Sequence, residues 1–349
     1  MTDDWNDSWV HQRLVRPWNA NPYPMSEGLH MVWRFLKGGS LHNPGGLKFL
    51  PKRTQLNDIV PQITVGFAGD AMSMWEKHLQ FDRSVVDFFA PCDRVLLNFE
   101  GVITEKKQVS PDQKHTRPVL DALAQMAPKH KLVLSMANNH TADFGERECR
   151  LCLDLLSREG FAFFGVKEQP YIDLSPQVRI VTGTQWSNRP GPHIANLDQV
   201  EQHIRPGGFN ALFPHFGYEL DLFPRLSVVE RMGQWLKHFD AVVGHHSHNP
   251  QPLTAYTDPS GIKRLGAYSM GNLSFGMAYR HIPILRQLTW GAIARVTVGP
   301  LASDPKRWAV GSLTWEFVEC TPLPKNAGFE VRTVEQCKFF PPELIPASI

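Results

Sequence analysis

Five short apolar runs in this chain are each followed at once by side chains able to hold a metal ion. Asp70 closes Phe67-Ala-Gly-Asp70, Glu100 closes Leu97-Asn-Phe-Glu100, and Asn138, Asn139 and His140 follow Met136-Ala137. His215 closes Phe213-Pro-His215, and His245, His246 and His248 follow Val243-Gly244. Carboxylate, carboxamide and imidazole make a mixed oxygen and nitrogen set, which suits manganese, iron, zinc or nickel rather than calcium, an ion that prefers oxygen alone. Asp70, Glu100, Asn139, His215, His246 and His248 oversupply one ion and suffice for two. Two ions roughly 3.5–4 Å apart would clamp a phosphoryl or related group. Each residue alone has a bland explanation: an Asp after a strand is usually a cap, Asn-Asn is common turn composition, and a lone His is more often core or surface. The conjunction outweighs these, because independent turns need not all carry ligand types. His246-Ser-His248 is the most telling piece, since on an extended segment residues i and i+2 project to the same side.

The apolar runs read as strands of an α/β protein. Buried strands are expected at 63–68, 94–97, 131–136, 161–165, 178–182, 210–213 and 241–243. A helix is expected over 145–159, stopping at Gly160, and another over 224–239 with Leu226, Val229, Met232, Leu236 and Phe239 on one face. Later, 253–256 and 262–268 flank Asp258-Pro-Ser-Gly261 as a hairpin, and 290–298, 310–319 and 329–334 add strands. In open α/β sheets ligands gather beyond the carboxyl ends of strands, so the polar residues at those ends should converge. Residues 1–60, with Trp5, Trp9, Trp18, Trp33 and several turn signals, read as an irregular extension that packs on the body through its aromatics or covers a cleft. The body is expected over 61–300, with 301–349 completing the same domain.

Bulk properties exclude several classes. With 349 residues, 42% hydrophobic and 20% charged, the chain can bury a large core. A net charge of +2, with only Lys48, Lys52 and Arg53 clustered, argues against a nucleic-acid partner. The acidic, polar start lacks the pattern of a signal peptide, and no run of about 18 apolar residues suggests a membrane span. Five cysteines fit a reducing compartment, so a cytoplasmic location is expected. Cys149 and Cys152 fall with Leu153 and Leu156 on one helical stripe, which makes them core thiols rather than zinc ligands.

Gly69-Asp70, Asn98-Phe-Glu100, Ala137-Asn-Asn-His140 with Asp143 and Gly145, His215-Phe-Gly-Tyr-Glu219, Gly244-His-His-Ser-His248 and Tyr268-Ser-Met-Gly-Asn272 occur in that order. The series resembles the CapA (poly-γ-glutamate capsule biosynthesis) family, a branch of the calcineurin-like metallophosphoesterases, over about residues 61–280. The resemblance implies a four-layer α/β/β/α sandwich of two stacked mixed sheets and a centre of two divalent ions, manganese, iron or zinc. It implies that Asp70 and His248 serve one ion and Asn139, His215 and His246 the other, with Glu100 bridging. His140 would be the proton donor and a bridging hydroxide the nucleophile. Metallophosphoesterases outside this branch open with Asp-x-His where this chain has Asp70-Ala-Met72, so the first ion lacks one imidazole; Phe216 and Ser247 are milder departures.

Around that shell, Asn98, Asn138, Glu219, His245, Asn272 and Arg117 are candidates for contacting substrate or orienting ligands. Glu219 is a candidate to orient His215, with a surface Glu at a helix start the equal alternative, and Asn272 and Ser274 are candidates to contact substrate. Lys114, His115 and Arg117 read first as solvated loop residues, with gripping an anion as the alternative for one of them. The leading expectation is a phosphoric-ester hydrolase acting on an anionic small molecule or polymer. The alternatives are an enzyme of γ-glutamyl amide metabolism and a non-catalytic, metal-stabilised subunit of a polymer-synthesis complex. The sequence does not give the oligomeric state.

Overall fold

The computed structural model describes residues 23, 25–109, 111–198, 200–276 and 283–346; Trp5, Trp9 and Trp18 lie outside the described residues. In chain order the larger elements are α1 (Met25–Lys37), β1 (Arg53–Gln55), β2 (Ile63–Ala71), β3 (Leu79–Phe81), α2 (Arg83–Phe89), β4 (Arg94–Phe99), β5 (Val102–Ile103) and β6 (Lys114–His115). Next come α3 (Pro118–Met126), β7 (Leu132–Ser135), α4 (Glu146–Arg158), β8 (Ala162–Phe164), β9 (Tyr171–Ser175), β10 (Val178–Thr184) and β11 (Phe209–His215). The chain continues through α5 (Leu226–Trp235), β12 (Ala241–Val243), β13 (Leu253–Thr257), β14 (Lys263–Ala267), β15 (Asn272–Ser274), α6 (Pro283–Gln287), β16 (Trp290–Pro300), β17 (Trp308–Pro322) and β18 (Phe329–Val334).

The strands form a mixed α/β fold around two main sheets. One has ten strands in the order β3-β18-β17-β16-β2-β4-β7-β8, with β1 on β17 and β15 on β2; the other has six in the order β13-β14-β12-β11-β10-β9. β2, β4 and β7 run parallel, as do β10, β11 and β12, while β16, β17 and β18 are antiparallel. The residue alternation of the strands explains how the sheets are covered. Val95, Leu97 and Leu134 meet Val85, Phe89, Leu123, Cys152 and Leu156 of α2, α3 and α4. Leu96 and Val133, one step out of phase, join Phe67, Ile180, Phe213 and Val243 in a cluster drawn from both sheets. On the far face of the smaller sheet, Val181, Leu212 and Val242 meet Val228, Met232 and Trp235 of α5. The Phe67 and Phe213 rings lie 5.9 Å apart between the sheets, and burying one side chain of that size contributes up to about 3 kcal/mol.

Helix α4 has the expected stripe, with Cys149, Cys152, Leu153 and Leu156 buried, and the chain turns out of it at Gly160, φ 82°. Helix α5 is shorter than expected and Leu226 is 53% exposed, but Met232, Leu236 and Phe239 of the expected face are buried and Val229 packs against them, with Val228 and Trp235 completing the contact to the sheet. The N-terminal extension also differs. α1 was not foreseen, and its Trp33 is 62% exposed, whereas Tyr23, Glu27 and Arg34 are buried. Within residues 1–60, attachment to the body runs through the buried Tyr23, Phe49 and Leu56, with Phe49 packed on Trp315, Phe317 and Phe340 as expected of an aromatic contact, and through the Glu27 and Arg34 ion pairs, not through Trp33. No described helix is long and apolar enough to cross a membrane.

Candidate metal centre

β2, β4 and β7 deliver Asp70, Glu100 and Asn139 from neighbouring strand ends of the larger sheet, and β11 and β12 deliver His215 and His245–His248 from the smaller one. Side chains from the strand ends of both sheets come together. Gly69 allows this: a Cβ there would lie 1.8 Å from the Gly271 carbonyl oxygen, which accepts a 2.8 Å hydrogen bond from the Asp70 N–H. Any side chain at 69 would push β15 off β2.

The six expected ligands are all buried. Ligand atoms gather in three groups, Asp70 with His215 and His245, Asp70 with Glu100 and His248, and Glu219 with His246 and His248, each within 4.8 Å. Asn139 joins through Oδ1, 2.8 Å from His215 Nε2. Asn98 Nδ2 donates to Asp70 Oδ1 at 2.7 Å and to Glu100 Oε2 at 3.2 Å, which ties the two carboxylates side by side. Asn138 accepts from the N–H groups of Gly101 and His140 and donates to Asn98 Oδ1 and the Phe99 carbonyl. It therefore braces the loop that carries Asn139 and His140.

The backbone around the last two imidazoles is unusual. His246 has φ 101° and His248 φ 59°, a region that non-glycine residues seldom enter and that costs about 1–3 kcal/mol each. This corrects the extended-segment reasoning: the two rings converge, with centroids 6.0 Å apart, through two left-handed kinks. Strain held at buried, polar residues is a mark of a functional site.

Electrostatics fit a cation site. Burial, then the Asp70 charge, pushes the Glu100 carboxyl up. Burial also acts to raise Asp70, but hydrogen bonds from His245 and His248 more than offset it and hold it low. Burial and neighbouring imidazoles push His215 and His246 down, so both stay neutral as ligands must. For His248 burial lowers, yet Glu100 and Asp70 overcome it and hold the ring protonated. Without a cation the carboxylates thus recruit a proton onto an imidazole. Glu100 Oε1, His245 Nε2 and His246 Nδ1 are buried with no hydrogen-bond partner, and such orphans are costly unless something positive meets them. The donor set and the orphaned atoms fit divalent metal ions.

His140 stands at the rim, 5% exposed. Its Nδ1 is 2.6 Å from Asp143 Oδ2 and its Nε2 3.9 Å from Glu100 Oε1. Burial acts to lower this imidazole, but Asp143 and then Glu100 more than compensate and raise it.

Several companions differ from expectation. Arg117 is not at the site: it is exposed and paired with Glu159. Lys114 is buried and donates to the Lys106 carbonyl at 3.0 Å, and His115 stacks 4.1 Å from the Phe99 ring and contacts the Glu100 carbonyl, so both brace the loop. Glu219 lies beside His246 and His248 rather than orienting His215; His245 Nδ1, 2.7 Å from His215 Nδ1, holds that ring. Asn272 Oδ1 is 2.9 Å from His248 Nδ1 and holds that ring, and Ser274 is buried beside it. Two residues were missed. Asn188 places Nδ2 3.1 Å from His140 Nδ1 and contacts Asn139, and Tyr23 places its hydroxyl 2.7 Å from His246 Nε2. A lone Asn after β10 carries no signal, whereas Tyr23 stands between two prolines, a restricted segment unlike its surroundings.

Over residues 64–187 the chain matches the family described as "Bacterial capsule synthesis protein PGA_cap". No curated protein matches it. Among solved structures, it is similar to a hypothetical protein from Thermus thermophilus, at 14% identity over 72% of this chain and 98% of that one, with a TM-score of 0.41. The family match carries Asp70, Asn98, Glu100, Asn139, His140 and Asp143 and ends before His215. His215, His245, His246 and His248 lie outside the matched residues.

Proposed function

We propose that this chain is a metal-dependent phosphoric-ester hydrolase that works with two divalent cations. One observation carries the reading above the rest: two carboxylates and several imidazoles converge, all buried, around polar atoms that no protein group satisfies. In this reading Asp70, Glu100 and His248 would hold one ion and Asn139, His215 and His246 the other, with Asn98 keeping the two carboxylates side by side. The layers are then α/β/β/α, with residues 61–300 as the body, 301–349 completing it, and 1–60 as an attached arm.

When bound, the cations supply positive charge that polarises the ester and makes a water-derived nucleophile available near neutral pH. The protein side of the reaction falls to His140. Asp143 takes the Nδ1–H, so Nε2 is the nitrogen left to give a proton. As an oxygen from water bonds to phosphorus and the ester P–O bond breaks, that proton goes to the departing oxygen. The raised basicity of His140 keeps the acid form populated for this step.

The match to capsule-synthesis proteins favours a second reading, in which the same centre acts on the amide bonds of a γ-glutamyl polymer. Manganese-loaded protein assayed on aryl phosphate mono- and diesters and on γ-glutamyl peptides separates the two. Ester turnover is the expected result; turnover of the peptides alone replaces the first reading with the second.

A further inference from the structure

Tyr23 is 1% exposed. Its ring packs edge-on against Trp186 at 4.8 Å and lies 5.9 Å from Tyr218. Its hydroxyl oxygen is 2.7 Å from His246 Nε2 and accepts a 3.1 Å hydrogen bond from the Glu219 N–H. The segment is fastened just beyond this point. Glu27 accepts from Arg34 at 2.8 Å and from Arg225 at 2.6 Å, and Arg34 Nε reaches Asp221 at 3.2 Å. These charges face inward on α1 although Leu29, Val32, Trp33 and Leu36 face solvent. The helix is thus docked by its ion pairs onto the 215–225 loop, and that docking presents Tyr23 to His246.

The two nitrogens of His246 are in unequal surroundings. Nε2 has the phenol, while Nδ1 is buried with no partner. If Nδ1 carried the hydrogen, a buried N–H would be left unsatisfied and would turn its donor toward any cation. If Nε2 carries it, the phenol oxygen accepts that hydrogen and Nδ1 keeps a bare lone pair, the form a metal requires. Metal-binding imidazoles generally donate their second N–H to such an outer partner. We infer that Tyr23 fixes the Nε2–H tautomer of His246, so that a residue 47 positions ahead of Asp70 in the sequence is a positioning element of the metal centre. The inference rests on the two-cation reading above and adds the N-terminal arm to it.

Tyr23→Phe removes the hydroxyl and keeps the ring. Calorimetric titration of the full-length, metal-free protein with manganese is expected to show affinity about 10- to 100-fold weaker in Y23F than in the parent. Nitrogen chemical shifts of the His246 ring, read without metal, should report Nε2–H alone in the parent and a mixture in Y23F. The metal-free melting temperatures should agree. Equal manganese affinity, or a parent His246 protonated on Nδ1, overturns the inference. So does a metal-free Y23F that melts far below the parent, because Tyr23 would then be a packing residue. A parent that binds no manganese at all defeats the two-cation reading itself, while the ring shifts still decide whether Tyr23 holds His246.

Discussion

Asp70, Glu100 and Asn139 leave the ends of three adjacent parallel strands, whereas His246 and His248 reach the same pocket from backbone bent into the left-handed region. The first half is preorganised by the ladder itself: once β2, β4 and β7 pair, their carboxyl-end residues are neighbours, and Asn98 and Asn138 lock them. In the second half His215 closes β11 on the ladder of the smaller sheet, whereas His246 and His248 have no ladder to define them. The rings of this half are set by contacts from outside the strand, Tyr23 on His246, Asn272 on His248 and His245 on His215. Regular strand ends position Asp70, Glu100 and His215, and strained loop backbone with partners from elsewhere in the chain positions His246 and His248.

Substitutions in the two halves should therefore fail differently. Asp70→Asn removes a carboxylate that two candidate groups share, and turnover is expected to fall by about 10⁴-fold with both ions lost, as elemental analysis would show. His140→Ala should lower turnover by about 10²–10⁴-fold while the protein retains its full complement of metal; a fully active H140A would remove His140 from the mechanism. His246→Ala, in the imidazole half, is expected to lose one ion and keep the other, with Asp70, Glu100 and His248 still in place. Equal metal loss in D70N and H246A would erase the distinction between the halves.

Smaller effects belong to the opposite pole of the same sheets. Asp240 precedes β12, and burial pushes its carboxyl up to about 6, while its hydrogen bond from the Asn210 N–H only partly offsets this. Because the folded protein holds the proton more tightly than the unfolded chain, stability falls as pH rises from about 4 to about 6, and the penalty is complete above that. Asp240→Asn should flatten this window and raise stability at pH 7.5 by about 1 kcal/mol in denaturant unfolding, with metal content unchanged. Arg117→Ala, cutting an exposed pair with Glu159, should leave turnover within about twofold of the parent.

Much of this was legible because strand ends obey a positional rule. Asp70, Glu100, Asn139 and His215 could be placed together from the apolar runs before them, since parallel strands leave little choice about where their carboxyl ends lie. His246 and His248 do come together, but not by alternation along a strand, which does not apply where φ is positive. Arg117 looked available to an anion because its partner, Glu159, sits 42 residues away in sequence. α1 escaped notice because its pattern is inverted, charged residues inward and apolar ones outward. Tyr23 shows the limit most clearly, since a contact across 223 positions with His246 leaves no local periodicity to read.

Crystals of the protein grown with manganese, with anomalous scattering collected at the metal edge, put the whole account to its most direct trial. Two peaks are expected roughly 3.5–4 Å apart, one against Asp70, Glu100 and His248 and the other against Asn139, His215 and His246. A map with no peak among those six side chains at saturating manganese, or with one ion bound elsewhere, would contradict it.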